Sequence, residues 1–529
     1  MASALKGGLQ PQIENLVCEP ECHDAAAHRE HVGVVVLARQ PRGVEVVAER
    51  GADAAHLVCG DLLALAAAAE HDAAIGAAVR DGAADGEAER RVVDRFLAVG
   101  AEILDVVSEA RQRVLQVFLQ LVAGVIGANG DSHDRQLYYV ELAMVPAVVI
   151  STRGEERVRS GHPWIYRADV ADARATAGDI VQVRSARGRT LGSALFSDRS
   201  QITLRMLAYG DTAADAALVR RRIESAVAFR ESLAIDATAY RLVHGESDLL
   251  PSLVVDRYGD YLVVQTLSQG MDRLLPDVVS VLEDVLHPHG ILARNDPRSR
   301  SLEGLEQRVE VLAGGVPDLV TVTEAGIEYD VDLRRGQKTG LFLDQRENRV
   351  AGAAYARGRM LDCFSYNGGF ALVMGRRCTE TIAFDVSEDA IARVKQNAAR
   401  NGVVVDARVG NVFDELRGLE RLGERFDTIV LDPPAFAKNK AAVANATAGY
   451  KEINLRALKL LEPGGTLVTC SCSYNVNEAA FAGIVYDASV DAQAHVTVVE
   501  KRMQGRDHPV LLGVPETYYL KCFIVRKLQ

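Results

Sequence analysis

The sequence predicts an α/β protein built around an open parallel β-sheet, preceded by a small β-barrel and a mixed α/β unit. Four apolar runs, each ending in a small, acidic or thiol residue, are typical of buried strands; they cover 361–370, 382–387, 428–436 and 467–473. Between them lie helix-like segments such as 388–401, where apolar residues recur at helical spacing before an Asn-Gly stop. Ligands of such sheets bind beyond the carboxyl ends of the strands.

Length and composition restrict the class of protein. A chain of 529 residues is too long for one hydrophobic core, so we expect several domains. A hydrophobic fraction of 48% and a charged fraction of 25% are those of a globular protein. Eight cysteines without a CxxC pair or a Cys/His cluster of zinc spacing favour reduced thiols, no metal site and a cytoplasmic location. Neither a signal-peptide pattern nor an apolar stretch of membrane-spanning length is found, so we expect no membrane association.

Charge is unevenly distributed along the chain. Of the 72 acidic and 60 basic residues, 22 and 12 lie in residues 1–143, which therefore have a net charge of −10. The rest of the chain has a net charge of only −2, although the whole chain has −12. A nearly neutral body can carry a basic groove, so the total does not argue against a nucleic-acid partner.

Residues 1–143 form an atypical N-terminal extension. They contain one lysine, no tryptophan and runs of alanine that alternate with histidine–acid pairs. This bias resembles GC-rich sequence translated in an unselected frame, so we interpret the segment as a non-native extension that precedes Met144. A disordered tail and an added helical domain are the alternatives, and the first two interpretations predict little packed structure.

Residues 144–212 predict the small barrel, because short β-rich runs follow one another closely with turn residues between them. The runs are 179–184, 190–196 and 201–207. Gly-His-Pro-Trp-Ile-Tyr-Arg precedes them at 161–167. Trp164 and arginines such as Arg167 suit a surface that stacks bases and holds phosphates. Alternatively, Trp164 is a core residue and the arginines form a solvated face.

Residues 213–335 predict the mixed α/β central unit, which begins with a helix at 213–233. The segment that follows leads into the sheet domain, 336–529, and combines basic residues and glycines with a short apolar run. It is suited to lie over a bound ligand, and we assign Asp344 and Gln345 to a cofactor and Lys338 to the substrate.

A turn at 362–370 follows the first strand of the sheet and opens a helix. Its glycines allow the backbone to approach a ligand closely, and the amides at the helix start can hold an anionic group. The turn lacks the G-x-G-x-x-G spacing of dinucleotide sites, which disfavours NAD. The residues of the turn that we assign to the cofactor are Asp362, Phe364, Asn367 and Gly368.

Two further residues at strand ends complete a nucleoside site. Asp385 ends the second strand, where an acidic side chain accepts hydrogen bonds from ribose hydroxyls. Asn411 ends the third strand and can meet an adenine edge. A nucleoside with an amino-acid tail, S-adenosylmethionine, satisfies the turn and both residues. For Asp385 alone, a helix-cap role is the alternative.

Asp-Pro-Pro-Ala-Phe at 432–436 ends the fourth strand. Prolines directly after a buried strand stiffen the loop and leave carbonyl oxygens free for a base. Phe436 can stack on that base, so we assign Pro433, Pro434 and Phe436 to substrate and Asp432 to both cofactor and catalysis.

Thiols at the end of the last strand, in Cys-Ser-Cys-Ser at 470–473, are candidate nucleophiles. A thiol near a positively charged sulfonium has a lowered pKa and is reactive. Strand geometry alone does not choose between Cys470 and Cys472, and both can instead be small buried residues.

From Met144 to the end, the chain resembles the bacterial ribosomal-RNA large-subunit methyltransferase family. The stretches that carry the resemblance are 161–166, 241–251, 338–346, 362–370, 432–436, 449–454 and 471–473. The resemblance implies a Rossmann-like class I methyltransferase domain, preceded by a small β-barrel PUA domain and a mixed α/β central domain. It also implies methyl transfer from S-adenosylmethionine to C5 of a cytidine in 23S rRNA, with Cys472 as the nucleophile.

The implied chemistry accounts for Asp432, which can protonate N3 of the cytosine after the thiolate has attacked C6. The fourth motif departs from many cytosine-C5 enzymes, because Pro434-Ala435-Phe436 lacks a second cysteine. Methylation of a guanine or adenine nitrogen therefore stays open, as does a non-catalytic RNA-binding role in ribosome assembly. Asn411 stands where an aspartate is commoner. The sequence leaves the oligomeric state open, with a homodimer among the options.

Overall fold

The computed structural model describes residues 146–437 and 442–529. The interpretation of residues 1–143 lies outside the described residues and stays a prediction. None of the helices in the two described ranges is long and apolar enough to cross a bilayer.

The first unit is a six-stranded sheet with one helix, and its strand order is β2-β6-β5-β4-β1-β3. Its elements are β1 (Ala147–Ile150), α1 (Thr152–Arg159), β2 (Trp164–Tyr166), β3 (Val170–Arg174), β4 (Ile180–Ser185), β5 (Thr190–Phe196) and β6 (Ile202–Tyr209). Alternate residues of β1 and β4, such as Val181 and Val183, are buried in one apolar cluster. Helix α1 begins at Thr152 because the Ser151 side chain accepts a hydrogen bond from the Gly154 amide.

The second unit is a five-stranded sheet of order β11-β10-β9-β8-β7, followed by a hairpin. Its elements are α2 (Ala216–Ser232), β7 (Ala239–His244), β8 (Leu253–Tyr258), β9 (Tyr261–Thr266), α3 (Gln269–Arg273), α4 (Leu275–Leu286), β10 (Gly290–Asn295), α5 (Ser299–Leu302), β11 (Arg308–Gly314), β12 (Val320–Glu324) and β13 (Ile327–Val331). The mixed strand directions agree with the mixed α/β unit that the sequence predicts.

The third unit is a seven-stranded sheet of order β16-β15-β14-β17-β18-β20-β19. Its elements are α6 (Arg346–Ala353), β14 (Arg359–Cys363), α7 (Gly369–Gly375), β15 (Glu380–Asp385), α8 (Glu388–Asn401), β16 (Asp406–Val409), α9 (Val412–Arg421), β17 (Phe426–Leu431), α10 (Val443–Leu460), β18 (Leu461–Ser471), α11 (Glu478–Asp491), β19 (Val496–Arg502) and β20 (Lys521–Lys527). The first five strands in this order are parallel, whereas β20 is antiparallel to β18 and β19.

The strand order reverses between β14 and β17, and ligands of open α/β sheets bind at such a point. The turn after β14 and the loop after β17 therefore face the same crevice. The predicted fold class, with its parallel sheet and two preceding units, is confirmed.

The β12–β13 hairpin packs on the third unit. Val322 and Tyr329 are buried in the same apolar cluster as Phe370 and Leu372 of α7. The buried ion pair between Glu324 and Arg349 adds a charged contact between the hairpin and α6, with Nη1 at 2.8 Å from Oε1.

Candidate active site

The turn after β14 has an unusual backbone that Asp385 supports. Phe364 and Tyr366 have φ values of +66° and +50°, which non-glycine residues rarely adopt, and Gly368 has φ +88°. The Asp385 carboxylate accepts hydrogen bonds from the Tyr366 amide through Oδ2 and the Ser387 amide through Oδ1, both at 2.9 Å. The first bond holds the turn at the carboxyl edge of the sheet. The second shows that Asp385 also stabilises the loop before α8.

Asp362, at the end of β14, has one carboxylate oxygen without a partner. Its Oδ2 accepts a hydrogen bond from the Ala371 amide at 2.9 Å, while the buried Oδ1 has no hydrogen-bond partner among the described residues. Burial, followed by the charge of Asp432, raises the pKa of Asp362 to about 8. A buried polar atom without a partner is costly, so Oδ1 is a candidate to meet a ligand.

Two other buried oxygens in this region share that property. Asp344 Oδ1 and Ser365 Oγ also have no hydrogen-bond partner among residues 146–437 and 442–529. Acceptors of this kind suit a ligand that carries an ammonium group and hydroxyls. The amino-acid end and ribose of S-adenosylmethionine provide these donors, so the residues present fit the cofactor.

Asn411 lies at the start of α9 and is exposed. Its side-chain oxygen accepts a hydrogen bond from the Phe413 amide at 3.0 Å and caps that helix. Asn367 is buried, and its carbonyl oxygen accepts a hydrogen bond from Asn397. In the described structure, Asn411 thus has a capping role beside the cofactor role that the sequence predicts.

The segment before α6 lies across the turn, as its composition predicts. The Tyr366 hydroxyl donates to the Gly340 carbonyl at 3.1 Å and accepts from the Gln337 amide at 3.0 Å. Lys338 Nζ donates to Asp344 Oδ2 at 2.7 Å, and the Tyr519 hydroxyl donates to the same oxygen at 2.8 Å.

Asp344 is buried and ionised. Although burial acts in the other direction, the charges of Lys338 and His508 hold the pKa of Asp344 well below its usual range. A stable negative charge in the site suits a cationic ligand.

Asp432 follows β17 and is held by Gln345. Gln345 Nε2 donates to Asp432 Oδ1 at 2.7 Å. Burial, followed by the charge of Asp344, raises the pKa of Asp432 to about 6. This carboxyl group is therefore able to gain and lose a proton near neutral pH, as a general acid requires.

The structure separates the two candidate thiols. Cys470 is within β18, is 1% exposed and is paired in register with Cys522 of β20. Cys472 lies beyond the strand end, is partly exposed and donates a weak hydrogen bond to the Pro433 carbonyl at 3.8 Å. Cys472 is thus the thiol beside the loop that follows β17.

Both thiols are protonated near neutral pH. Burial raises the pKa of Cys470 well above its usual value. Burial, followed by the charge of Asp432, raises the pKa of Cys472 to about 11, and Lys338 acts in the opposite direction. Cys472 therefore requires added positive charge to become a nucleophile.

Lys521, which the sequence analysis missed, lies next to the Cys472 loop. It is 1% exposed, and its register partner in β18 is Ser471. Its Nζ donates to the carbonyl oxygens of Ser473 and Tyr519. The bond to Ser473 and the charge interaction with Cys472 show that this ammonium lies near the thiol. No sequence signal identifies it, because Lys521 is in the antiparallel strand near the end of the chain.

Phe436 and the prolines form one wall of the crevice. The Phe436 ring lies 4.7 Å from that of Tyr450 and 6.4 Å from that of Phe364, measured between centroids. Pro433 is buried and Pro434 is exposed. An aromatic and proline surface beside Cys472 suits the flat face of a base.

Trp164 and Arg167 belong to the first unit and have intramolecular partners. Trp164 Nε1 donates to Glu246 Oε1 at 2.9 Å, and its ring packs edge-on against His162. Arg167 is exposed, yet its Nη2 donates to the carbonyl oxygens of Asp198 and Ser200. Their assignment to RNA stays a prediction.

Comparison with known families identifies two parts of the chain. Residues 148–209 match the PUA-like domain family, and residues 302–506 match the family of S-adenosylmethionine-dependent methyltransferases. The second match begins before residue 336, in keeping with the packing of the β12–β13 hairpin on the third unit.

Two solved structures share the fold. A SAM-dependent methyltransferase from Streptococcus mutans has a TM-score of 0.63 and 20% identity, with 72% of this chain and 100% of that chain covered. A methyltransferase complexed with SAH has a TM-score of 0.64 and 21% identity, again with 72% of this chain and 100% of that chain covered.

Relatives of higher identity cover nearly their whole length. The ribosomal RNA large subunit methyltransferase I of Tolumonas auensis is 40% identical over 397 residues, which are 73% of this chain and 100% of the relative. The proteins of the same name from Vibrio cholerae and Klebsiella pneumoniae are each 37% identical, with 73% of this chain and 100% and 99% of the relative covered. The chain therefore belongs to the ribosomal RNA large subunit methyltransferase I family, whose enzymes use S-adenosylmethionine.

Proposed function

We propose that the chain methylates C5 of a cytidine in 23S rRNA through a covalent adduct between Cys472 and C6 of the base. The observation that supports this proposal most is the contact between the Cys472 thiol and the carbonyl oxygen of Pro433, the residue that follows Asp432. The names of the relatives, which specify the ribosomal RNA of the large subunit, support the RNA substrate.

The reaction begins with the thiolate of Cys472, which adds to C6 and forms the sulfur–carbon bond. The π electrons of the C5=C6 bond are displaced through the ring, and Asp432 donates its proton to N3. Bound S-adenosylmethionine supplies the methyl group as an electrophile, together with the positive charge of its sulfonium. After C5 has been methylated, a base removes the C5 proton, the thiolate leaves C6 and Asp432 recovers its proton.

Two lysines assist the first step. Lys338 lowers the pKa of Cys472 against burial, and the ammonium of Lys521 donates to the Ser473 carbonyl, next to the thiol. Because the Cys472 pKa is about 11 in the free protein, the thiol reacts only after further positive charge has entered the site. This requirement couples nucleophile activation to cofactor binding.

A second candidate is methylation of a guanine or adenine nitrogen. The observation that favours it is the fourth motif, where Ala435 and Phe436 follow the prolines and no thiol is present. In that case, Asp432 would accept a hydrogen bond from the reacting nitrogen, and Cys472 would have no covalent role.

The experiment uses the full chain, radiolabelled S-adenosylmethionine and unmodified 23S rRNA, with the product nucleoside identified by mass spectrometry. We expect 5-methylcytidine from the wild-type protein and from Cys470→Ala, and none from Cys472→Ala. Label on a purine nitrogen, with Cys472→Ala still active, would overturn the cytosine mechanism. Cofactor binding without any labelled product would favour the non-catalytic RNA-binding role.

An rRNA substrate also fits a cytoplasmic location, which we propose for the protein. The five cysteines in the described ranges are free thiols, as expected in a reducing compartment. A homodimer remains one option for the oligomeric state, and light scattering of the full chain would determine it.

A further inference from the structure

We propose that Asn348 and Arg502 are positioning residues that fix which carboxylate oxygen of Asp432 carries the transferable proton. This inference rests on the proposed function, in which Asp432 is the acid. Neither residue is one of the reacting groups, and each acts through a hydrogen-bond chain that ends at Asp432.

Four residues form this hydrogen-bond chain. Arg502 Nε donates to Asn348 Oδ1 at 3.1 Å, and Asn348 Nδ2 donates to Gln345 Oε1 at 2.7 Å. Gln345 Nε2 then donates to Asp432 Oδ1 at 2.7 Å. Asn348 and Gln345 are buried, with exposed fractions of 0% and 2%. The chain therefore runs through the protein interior from the last residue of β19 to the end of β17.

The partners of Asn348 determine the direction of every hydrogen bond between Arg502 and Asp432. Arg502 has only donors, so it requires the oxygen of the Asn348 amide. The Met503 carbonyl has only acceptors and takes a hydrogen bond from Asn348 Nδ2 at 3.1 Å. Both partners impose the same orientation on the Asn348 amide. Its Nδ2 must then donate to Gln345 Oε1, which leaves Gln345 Nε2 as the donor to Asp432.

A fixed donor at Oδ1 determines the position of the proton on Asp432. An oxygen that accepts a short hydrogen bond from an amide is a poor site for a proton of its own. The proton is thus held on Oδ2, so that one oxygen is anchored and the other is available to the substrate base. Reversal of the Gln345 amide would move the proton to Oδ1 and present the base with an acceptor.

Arg502 itself is anchored at the start of the chain. Its Nη1 donates to Glu500 Oε2 at 2.9 Å, and the Tyr355 hydroxyl donates to Glu500 Oε1 at 2.7 Å. The planar guanidinium of Arg502 is thus held by two hydrogen bonds, one to Asn348 and one to Glu500. It cannot rotate away from Asn348 without breaking both. The side chain of Arg502 is about 29% exposed, so it can be replaced without creating a large cavity.

Other charged groups also face Asp432 and act on its ionisation. They are Asp344 and Lys338 from the segment before α6, Arg349 of α6, Asp362 of β14 and Cys472 after β18. The variants below leave all of these groups unchanged. Asn348→Asp adds a negative charge and Arg502→Met removes a positive one, and both changes also raise the pKa of Asp432 through charge. The fall in kcat is therefore the readout that is specific to the direction of the hydrogen bonds.

The first test uses Asn348→Asp to reverse the direction of the hydrogen bonds. This variant replaces the only donor group of the side chain by an acceptor. Gln345 must then turn its Nε2 towards residue 348 and its oxygen towards Asp432. We expect kcat to fall roughly 100-fold, the scale of a lost general acid. We also expect the KM for S-adenosylmethionine to be unchanged.

The second readout is the pH dependence of kcat/KM for the RNA at saturating S-adenosylmethionine, which keeps the cofactor-linked titration of Asp362 out of the profile. The productive form has a proton on Asp432 and none on Cys472, whereas both are protonated at low pH, so kcat/KM rises with pH through about 6. The hydrogen bond from Gln345 lowers the pKa of Asp432. Its loss raises that pKa, so the rising limb moves to higher pH in the variant.

Arg502 provides a matched pair in case Asn348→Asp does not fold. Arg502→Lys keeps a donor for Asn348 and is expected to retain most of the activity, whereas Arg502→Met removes the donor. For Arg502→Met we expect a roughly tenfold fall in kcat and the same upward displacement of the rising limb. Thermal unfolding and calorimetry with S-adenosylmethionine establish that the variants fold and bind.

The outcomes are separable from those of the proposed function. Equal pH profiles for wild-type protein, Arg502→Met and any folded Asn348→Asp would overturn the positioning role. A wild-type product other than 5-methylcytidine would overturn the cytosine mechanism. The pH at which the rising limb lies would still decide whether the hydrogen-bond chain controls Asp432. A fall in kcat together with a displaced rising limb, both restored by Arg502→Lys, supports the inference.

Discussion

Lys521 Nζ donates a hydrogen bond to the carbonyl oxygen of Ser473 at 2.7 Å, which ties β20 to the loop that carries Cys472. A second bond, to the Tyr519 carbonyl at 2.9 Å, completes the anchoring. Among the described residues, no carboxylate forms an ion pair with this lysine. A buried ammonium without an acidic partner is costly, and burial lowers the pKa of Lys521 to about 8. Such groups are enriched at functional sites.

Lys521→Met tests the effect of this lysine on stability and activity. Because the pKa of Lys521 is lower in the folded protein than in the unfolded chain, the unfolded chain binds more protons between pH 8 and about 10.4. The free energy of unfolding of the wild-type protein should therefore rise relative to that of Lys521→Met, by about 2 kcal/mol between pH 7.5 and 9.5. Urea unfolding at the two pH values measures the difference.

The same variant should lose activity, because the Ser473 carbonyl loses its donor and the thiol loses a nearby cation. Lys501→Met, in which an exposed lysine that pairs with Glu478 is removed, is the control and should behave like wild type. An active Lys521→Met with the wild-type dependence of stability on pH would contradict the argument.

The raised pKa of Asp362 predicts that a proton is released when the cofactor binds. Its pKa of about 8 means that the carboxyl group is mostly neutral at pH 7 in the free protein. A cationic ligand stabilises the carboxylate, so binding at pH 7 should release close to one proton, and affinity should increase up to about tenfold per pH unit below pH 8. Calorimetry in buffers of different ionisation enthalpy measures this release.

Asp362→Asn is the matched variant, because it retains an acceptor for the Ala371 amide and removes the titration. We expect weaker binding and a flat pH dependence over the same range. Equal proton release in wild type and variant would show that another group titrates.

Much of the fold could be predicted because its signals are local. Strand runs, helix spacing and the glycine turn each lie within a short stretch, so the sheet and the residues at its carboxyl edge follow from the sequence. The choice of Cys472 over Cys470 required the structure. It depends on where β18 ends and on Cys522 of β20, which is register partner to Cys470.

The hydrogen-bond chain to Asp432 could not be predicted for a related reason. Gln345 and Arg502 are far apart in sequence and meet through Asn348 only after β19 has folded back beside β20. A buried amide in a helix has no signal that distinguishes it from an ordinary core polar residue. Long-range contacts of antiparallel strands thus determine the details of the site that the sequence leaves open.

Removal of residues 1–143 tests the interpretation of this segment as a non-native extension. We expect a chain that begins at Met144 to retain the kcat and KM of the full chain, since the residues assigned to the site all follow that position. Methyl transfer to 23S rRNA by both chains at equal concentration measures this. A large loss of activity, with unchanged thermal unfolding of the remaining domains, would favour the added-domain interpretation.

The Glu324–Arg349 pair should be important for the attachment of the β12–β13 hairpin. Both side chains are buried, at 2% and 6% exposure, and Arg349 Nη2 also donates to the Phe342 carbonyl at 2.8 Å. Arg349→Met leaves a buried carboxylate without its partner, so we expect a loss of about 3–5 kcal/mol in the free energy of unfolding. The double variant Glu324→Leu/Arg349→Met should recover most of that loss. Urea unfolding of the three proteins decides, and equal stability of the single and double variants would contradict the pairing argument.

The reactivity of Cys472 should respond in opposite directions to its two charged neighbours. Asp432 raises the pKa of this thiol, so Asp432→Asn should lower that pKa and accelerate alkylation by iodoacetamide at pH 8. Lys338 lowers the pKa, so Lys338→Met should slow alkylation at the same pH. Each change of one pKa unit alters the thiolate fraction about tenfold, and rate follows that fraction. Mass spectrometry of the peptide that contains residues 470–473 measures the modification in a Cys470→Ala background, so that only Cys472 can react there. Because alkylation needs neither RNA nor cofactor, equal rates in both variants would show that these charges do not control the thiol.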